Sequence, residues 1–587
     1  MTRTIDKLPA SLRSYCSEHD YSKYTSRDQA AWRYIMRRSQ DFFKKHAVAT
    51  YDAGFKKSGL QIDRIPHIDE IDKALQESGW GAVGVTGFIA PWAFIEFQAR
   101  KILPIATDMR TVDHIAYTPA PDIVHEAAGH APIIPDQEYS DYLAYYATLG
   151  TKALYSKEDL MVYEAVRYLS DVKENPDHKP DVIARAESRL KDVLKSTQFV
   201  SEQTLVARMS WWTAEYGLAG TLKNPKIYGA GLLSSVGESK LAMTDKVKKI
   251  PFSIDCINYS YNITEPQPQL FVAEDMHQLT SVLHELDSIL AFKVGGVKSL
   301  QKLQDSRAIG TVCLETGASA SGILSAFETE GDRAEFFKLS GPVQLCYNGE
   351  QISGHGLERH GEGFSTPIGR LVGRPDRAMS TLDDAALKGL GIEAGHVSHL
   401  KFLSGFEVKG ILKSVIRRDG KLLLMTFSDC IVTRGSTSYF EPSWGEFDML
   451  IGETIPSVFG GPADRESFGE HEISEPETSP ARSTPYSPFE KSVFDRYQKL
   501  RDLRTRFAKG DAQALTALQD LGEDTLKTAR DEWLLLLEIY ELGREQKVEA
   551  EWMGRVKGQL KEKTYVHSPD TNSDIGEMVL EGLKLIH

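Results

Sequence analysis

Thr118-Pro119-Ala120-Pro121-Asp122-Ile123-Val124-His125-Glu126-Ala127-Ala128-Gly129-His130-Ala131-Pro132 is the stretch on which the reading of this chain turns. It carries two histidines five residues apart, with a carboxylate beside the first. Pro121 suits a first helical position, where a missing N–H costs nothing. Pro132 cannot continue a helix, so a short helix ending near His130 is expected. Neutral imidazoles are common metal ligands. At ~100° per residue in an α-helix, His-x4-His sets the rings about 140° apart, worse than the i, i+4 pair of a zinc protease. Gly129 is expected to relieve this by letting the last turn distort. The plain alternative is a helix end with one exposed and one satisfied histidine.

A third candidate ligand lies in Ser210-Trp211-Trp212-Thr213-Ala214-Glu215-Tyr216-Gly217-Leu218. Glu215 stands in an aromatic, apolar run that reads as buried, and a buried carboxylate needs a cation or strong donors. Two histidines and one carboxylate, with three positions open, form the facial triad of non-haem Fe(II) oxygenases.

Three segments in order carry a resemblance: Pro121 to His130, Trp212 to Leu218, and Tyr228-Gly229-Ala230-Gly231-Leu232-Leu233-Ser234-Ser235-Val236-Gly237-Glu238. Over about residues 20–295 the chain resembles the tetrahydropterin-dependent aromatic amino acid hydroxylases, the phenylalanine-hydroxylating members being nearest. The resemblance implies Fe(II) held by His125, His130 and Glu215. It implies a tetrahydropterin bonded by backbone near Gly87, Phe88 and Ile89 and stacked on Phe94, with the catalytic-site carboxylate Glu126 touching it. Chemistry agrees with those residue types, since glycine admits a flat ligand to the backbone and an aromatic ring offers a stacking face. The chain departs from the family at Ala90-Pro91, where a serine pair is usual.

For the substrate, the resemblance implies that Arg110 binds the amino acid's carboxylate, as an arginine can through two parallel hydrogen bonds. Thr118, Pro119, Trp211 and Tyr216 would line the pocket, and Gly231, Ser234 and Ser235 would add contacts. Ile263 falls where members acting on tyrosine usually carry an aspartate. The expected activity is ring hydroxylation of a free aromatic amino acid with O2, L-phenylalanine to L-tyrosine first and tryptophan second. A zinc hydrolase could use His-Glu…His but loses on the five-residue spacing. A non-catalytic sensor of pterin or amino acid is opposed by the intact triad.

At 587 residues the chain should hold several domains. The reading is multidomain: a mainly α catalytic domain over residues 1–298, a β-rich domain over 299–460, a Pro- and Ser-rich linker over 461–488 and a helical C-terminal region over 489–587. A net charge of −14 argues against a nucleic-acid surface. Five scattered cysteines without a CxxC read as reduced thiols in a cytoplasm. No apolar run approaches ~18 residues, so no membrane span is expected, and the N-terminus lacks a signal-peptide core. The resemblance leaves no room before residue 20 for the regulatory domain of animal members, so feedback by that route is not expected.

Locally, residues 1–24 read as an irregular arm, and Ser26-Arg27-Asp28-Gln29 as a capping box opening a helix to about His46. Between His130 and Glu215 the separation exceeds the family's, implying an inserted helical pair, a lid or a subunit contact. In the β-rich region Arg418-Asp419-Gly420 is a hairpin signal. His355-Gly356-Leu357-Glu358-Arg359-His360 lies in a Gly-rich loop and is read as no metal site, because no strand or helix would fix the side chains. Residues 489–563 read as three charged amphipathic helices, and the C-terminal half is the expected place for any subunit contact.

Overall fold

The first long helix, Ser26–His46, ends where expected but is capped one residue earlier than the sequence predicts. The Thr25 hydroxyl accepts from the Asp28 N–H at 3.2 Å, and the Asp28 carboxylate accepts from the Thr25 N–H at 2.8 Å. Thr25 is extended while Ser26 is already helical, and only a residue outside the helix can turn its side chain back on the first free N–H groups. The structure, a computed structural model, describes residues 3–85, 89–115, 121–174, 179–197, 199–263, 265–469, 486–564 and 575–586.

The residues before this helix are not an irregular arm. They form short turns at Thr4–Lys7, Ala10–Arg13 and Tyr21–Lys23. Leu8 and Leu12 are buried with Val83 and Phe97, which is what holds the segment down. Two small sheets sit among the helices of this half. Gly81–Val85 pairs in parallel with Ile102–Ala106, the helix Pro91–Ala99 crossing between them. Asn224–Ile227, Leu218–Thr221, Gln269–Ala273 and Lys248–Pro251 form a four-stranded sheet in that order. The inserted helical pair is present as Lys157–Glu174 and Pro180–Ser196, joined by a small core of Ala165, Leu169, Ala186 and Leu190.

From Ile309 to Gly460 the chain is β-rich, in two antiparallel sheets of six and five strands. Asp419 and Gly420 take φ of 47° and 76° in the turn between Phe406–Arg418 and Lys421–Arg434. Two successive positive φ angles are what a tight hairpin requires. Leu339 and Phe364 of one sheet share a buried cluster with Leu423 and Leu450 of the other.

The C-terminal region holds four helices where three were expected over 489–563: Pro488–Ala508, Ala514–Thr528, Trp533–Glu545 and Glu551–Lys563, with a fifth at Ile575–Lys584. Trp533–Glu545 is buried over most of its length, so it has no polar face to announce it as a separate amphipathic helix. These helices are not a detached appendage. Val493, Leu534 and Val579 belong to one hydrophobic cluster with Trp32, Tyr34 and Trp212. Among the described residues no helix is long and apolar enough to cross a membrane, and all five cysteines are free.

Candidate active site

The two histidines of the opening stretch lie on a π-helix, Val124–His130, rather than on a distorted α-helical turn. Hydrogen bonds closing at i→i+5 widen the turn, so residues five apart come onto one face. The spacing that is awkward on an α-helix is therefore natural here. Gly129 does not act through left-handed geometry: it permits close packing, because a Cβ there would stand 2.6 Å from the Ala230 carbonyl oxygen. Pro121 is not the first helical residue either. The helical run begins after Asp122, whose Oδ1 accepts from the His125 N–H at 3.0 Å.

Glu215 closes a second π-helix, Trp211–Glu215. Its Oε1 lies 3.2 Å from His130 Nε2 and its Oε2 lies 3.4 Å from His125 Nε2. One ligand-type atom from each of the three residues falls within 4.8 Å of the others. The two rings stand at 88° to each other.

Hydrogen-bond arithmetic defines what this cluster can hold. The Ser234 hydroxyl donates to the Gly231 carbonyl at 3.1 Å and lies 3.2 Å from His125 Nδ1. Having given its proton away, it accepts from Nδ1–H, which leaves the Nε2 lone pair turned toward Glu215. His130 is 1% exposed; among the described residues its Nδ1 has no hydrogen-bond partner, and its Nε2 meets only the Glu215 carboxylate, off ideal hydrogen-bond geometry. A buried imidazole left unsatisfied is costly unless a cation takes the lone pair. Burial pushes the His125 ring down to about 4, so it is neutral. Burial alone would raise Glu215, but the two imidazoles hold its carboxyl down at about 2. Burial lowers the His130 ring, but Glu215 and Glu126 outweigh it and raise it, so the cluster favours positive charge at its centre. Two imidazoles facing an ionised carboxylate match the donor set of a divalent metal.

Around the cluster opens a cavity of about 430 Å3. Ile89, Phe94, Arg110, Trp211, Tyr216, Gly231, Ser234, Ser235 and Ile263 are among the residues that line it. Gly87, Phe88, Thr118 and Pro119 lie outside the described residues. Arg110 is buried and donates Nε and Nη2 to Asp122 at 2.8 and 2.7 Å, and Nη1 to the Ser234 carbonyl at 3.2 Å. Asp122 thus holds the guanidinium and the first turn of the π-helix at once. Burial pulls its carboxyl up, yet Arg110 holds it below the usual range.

Glu126 also lines the cavity and is buried, its Oε2 without a hydrogen-bond partner among the described residues and 3.9 Å from His130 Nε2. Burial, opposed by His130 and reinforced by Glu215 and Asp122, pushes its carboxyl up to about 8. Sequence reasoning missed Glu238 as a wall residue. Its Oε2 accepts from the Tyr216 hydroxyl at 3.2 Å, and burial pushes it up to about 7. It also missed Tyr163 and Val166, which reach the cavity from the inserted helix Lys157–Glu174. No local pattern marks those two, because helix amphipathicity does not say which apolar residue meets a cavity. The stacked wall is clearer: Trp211 lies parallel to Tyr261 at 4.2 Å and 9°, and against Tyr216 at 4.7 Å.

Fold and site together define a chain with a buried two-histidine, one-carboxylate cluster opening on an aromatic cavity. Residues 13–165 and 195–294 match the model of the biopterin-dependent aromatic amino acid hydroxylases. The phenylalanine-4-hydroxylase of Pseudomonas aeruginosa is 27% identical over 270 residues, covering 46% of this chain and 86% of that protein. That of Vibrio cholerae is 28% identical over 266 residues, covering 45% and 76%. A solved phenylalanine hydroxylase of Chromobacterium violaceum aligns over 48% of this chain and 89% of that one, with 22% identity and a TM-score of 0.37. Residues 166–194, between the two matched stretches, are the inserted part, and Val166 belongs to it.

Proposed function

We propose that this protein hydroxylates the ring of a free aromatic amino acid, L-phenylalanine to L-tyrosine in the first instance, with Fe(II) on His125, His130 and Glu215. The activity is assigned to residues 1–298, ahead of a β-rich domain over 299–460 and a helical region over 489–587. The observation that carries the reading is the cluster itself: His125 and the fully buried His130 both face the ionised Glu215 carboxylate, and His125 and Glu215 line an aromatic cavity. The family match and the names of the relatives support the substrate class. Iron and tetrahydropterin, when bound, supply the activation of O2 that no side chain can.

The chain's own residues place and shield the reactants. Ser234 sets the His125 tautomer, so Nε2 faces inward. Asp122 pre-orients the Arg110 fork, which reduces the entropy lost when it clamps a carboxylate. Phe94 offers the pterin a face, and the Trp211–Tyr261 stack walls the substrate's ring away from water. Glu126, with an unpaired oxygen in the same cavity, is the group that bonds the pterin. Glu126→Gln should keep its iron and lose about 10–100-fold in activity at low pterin, recovering as pterin is raised. Iron loss in this variant would make Glu126 a ligand instead, and a peptidase activity lost with it would support a zinc hydrolase.

Ile263 bears on the choice of substrate. It lines the cavity with an alkyl group, so tyrosine gains no partner for its hydroxyl from this residue. An apolar pocket rejects an added hydroxyl by only about a hundredfold, so slow turnover of tyrosine is expected. Tryptophan is the second reading, disfavoured because Tyr216 narrows the wall against Trp211. The test is competition between phenylalanine and tryptophan at equal concentration with iron, tetrahydropterin and O2. The ratio of kcat/KM should favour phenylalanine; a ratio favouring tryptophan would overturn the substrate and leave the hydroxylase.

A further inference from the structure

We propose that the β-rich segment holds a second metal site, for a divalent ion of the Zn2+ class, formed by His355 Nδ1, His360 Nε2 and Asp448 Oδ2. The site is separate from the hydroxylase centre and independent of the function assigned there. Its three side chains are buried, at 7%, 6% and 6% exposure. His355 Nδ1 lies 3.3 Å from His360 Nε2, and Asp448 Oδ2 lies 3.7 and 3.8 Å from those two nitrogens. The point equidistant from these three atoms is about 2.1 Å from each, within the range of Zn–N and Zn–O bonds. Drawing the atoms together by a few tenths of an ångström would let the ion rise from their plane toward a tetrahedral site, its fourth position left to solvent.

A hydrogen-bonded pair of histidines is the competing account. It explains one of the three separations, since a single N–H between the rings satisfies the 3.3 Å contact. Arg359 and Thr426 hold the Asp448 carboxylate in place, but the pair gives no use to its Oδ2 standing almost equally far from both nitrogens and within hydrogen-bond reach of neither. A shared central ion explains all three.

The sequence argued against this site because the histidines lie in a Gly-rich loop with nothing to fix them. The structure corrects that. The loop is bonded along the strand Arg333–Tyr347: Leu345 N–H donates to the His355 carbonyl at 3.0 Å and Val343 N–H to the His360 carbonyl at 3.1 Å. Within the loop, His355 N–H donates to Ile352 and His360 N–H to Gly356. Asp448 comes from another strand, Phe447–Leu450, and is opposite Thr426 in its sheet.

The carboxylate is oriented by partners outside the triangle, as metal-bound carboxylates are. Thr426 Oγ1 donates to Oδ1 at 2.6 Å, while Arg359 donates Nε to Oδ2 at 2.6 Å and Nη2 to Oδ1 at 3.1 Å. Each carboxylate oxygen has two lone pairs, so Oδ2 keeps one for an ion. The charge of Arg359 is offset by Glu446, whose Oε2 accepts from Nη2 at 2.9 Å. An ion here would clip the loop of the six-stranded sheet to a strand of the five-stranded one.

The experiment is a metal count on the full-length chain, stripped with chelator and dialysed against Zn2+, alongside His360→Gln. Wild type is expected to retain one equivalent more than the variant whatever the first site holds, with Zn2+ raising the melting temperature of wild type beyond that of the variant. X-ray absorption on wild type should show imidazole ligation for the bound Zn2+. Equal metal content in wild type and His360→Gln, or bound Zn2+ without imidazole ligation, would each overturn the site. Should His360→Gln not fold, Asp448→Asn takes its place in the comparison of metal content.

Discussion

Glu215→Ala is expected to strip iron from the protein and lower hydroxylation by at least about a thousandfold, roughly 4 kcal/mol of barrier. Among the described residues Glu215 is the carboxylate that faces both imidazoles, at 3.2 and 3.4 Å. Without it, two neutral rings remain, and neither carries the negative charge that offsets a divalent ion. The loss should be chemical rather than global, since the backbone around it is independently held: Tyr216 N–H donates to the Trp211 carbonyl and Gly217 N–H to that of Thr213. His125→Ala and His130→Ala should behave alike, while Glu215→His asks whether charge or mere ligation matters. Iron content by mass spectrometry and product analysis on the same preparation check it. An alanine variant with full iron and full activity would remove that residue from the metal.

Arg33→Met is the largest stability effect expected away from the site. Arg33, in the helix Ser26–His46, donates Nη1 to Glu538 at 2.7 Å, Nη2 to Glu541 at 3.1 Å and Nε to Asp63 at 3.1 Å. Glu538 and Glu541 are buried in Trp533–Glu545, and removing one partner of a buried ion pair costs about 3–5 kcal/mol. Arg37 and Arg504 also reach Glu541 and reduce the damage, so the lower figure is expected. At about 3 kcal/mol, amide exchange across Trp533–Glu545 should quicken by roughly a hundredfold. Unchanged exchange there would show that apolar packing alone holds the C-terminal helices on the first helix.

The network bears on truncation too. Cutting the chain after residue 298 would expose Arg33, Tyr34 and the apolar face that the helices between Pro488 and Lys584 cover. The hydroxylase segment is therefore expected to need those helices for stability although its matched motifs all lie before them.

The order and chemistry of the motifs were legible because they are local. His125, His130 and Glu215 could be picked out by residue type and setting, Ile263 by its difference from an aspartate, and the Asp419-Gly420 hairpin by its need for positive φ. The helical insertion showed itself as extra length between two motifs. What stayed hidden depends on a backbone choice or a distant partner. The π-helices at Val124–His130 and Trp211–Glu215 replace the α-helix that spacing arguments assume, and no residue preference announces an i→i+5 turn. Thr25 and Ser26 are both competent caps, and only the path of the chain selects one.

By itself the sequence marked out His125, His130 and Glu215, the aromatic residues about Glu215 and the succession of helical and β-rich regions, because side-chain chemistry and short-range periodicity are written residue by residue. The tertiary structure alone decided that Asp122 holds Arg110, that Val166 reaches the cavity, that the last helices share a core with the first long one, and that Asp448 comes to rest between His355 and His360. The physical reason is the same in each case: these contacts join residues far apart in the chain, and closing such loops is driven by burial summed over the whole molecule rather than by any preference of the residues that finally meet.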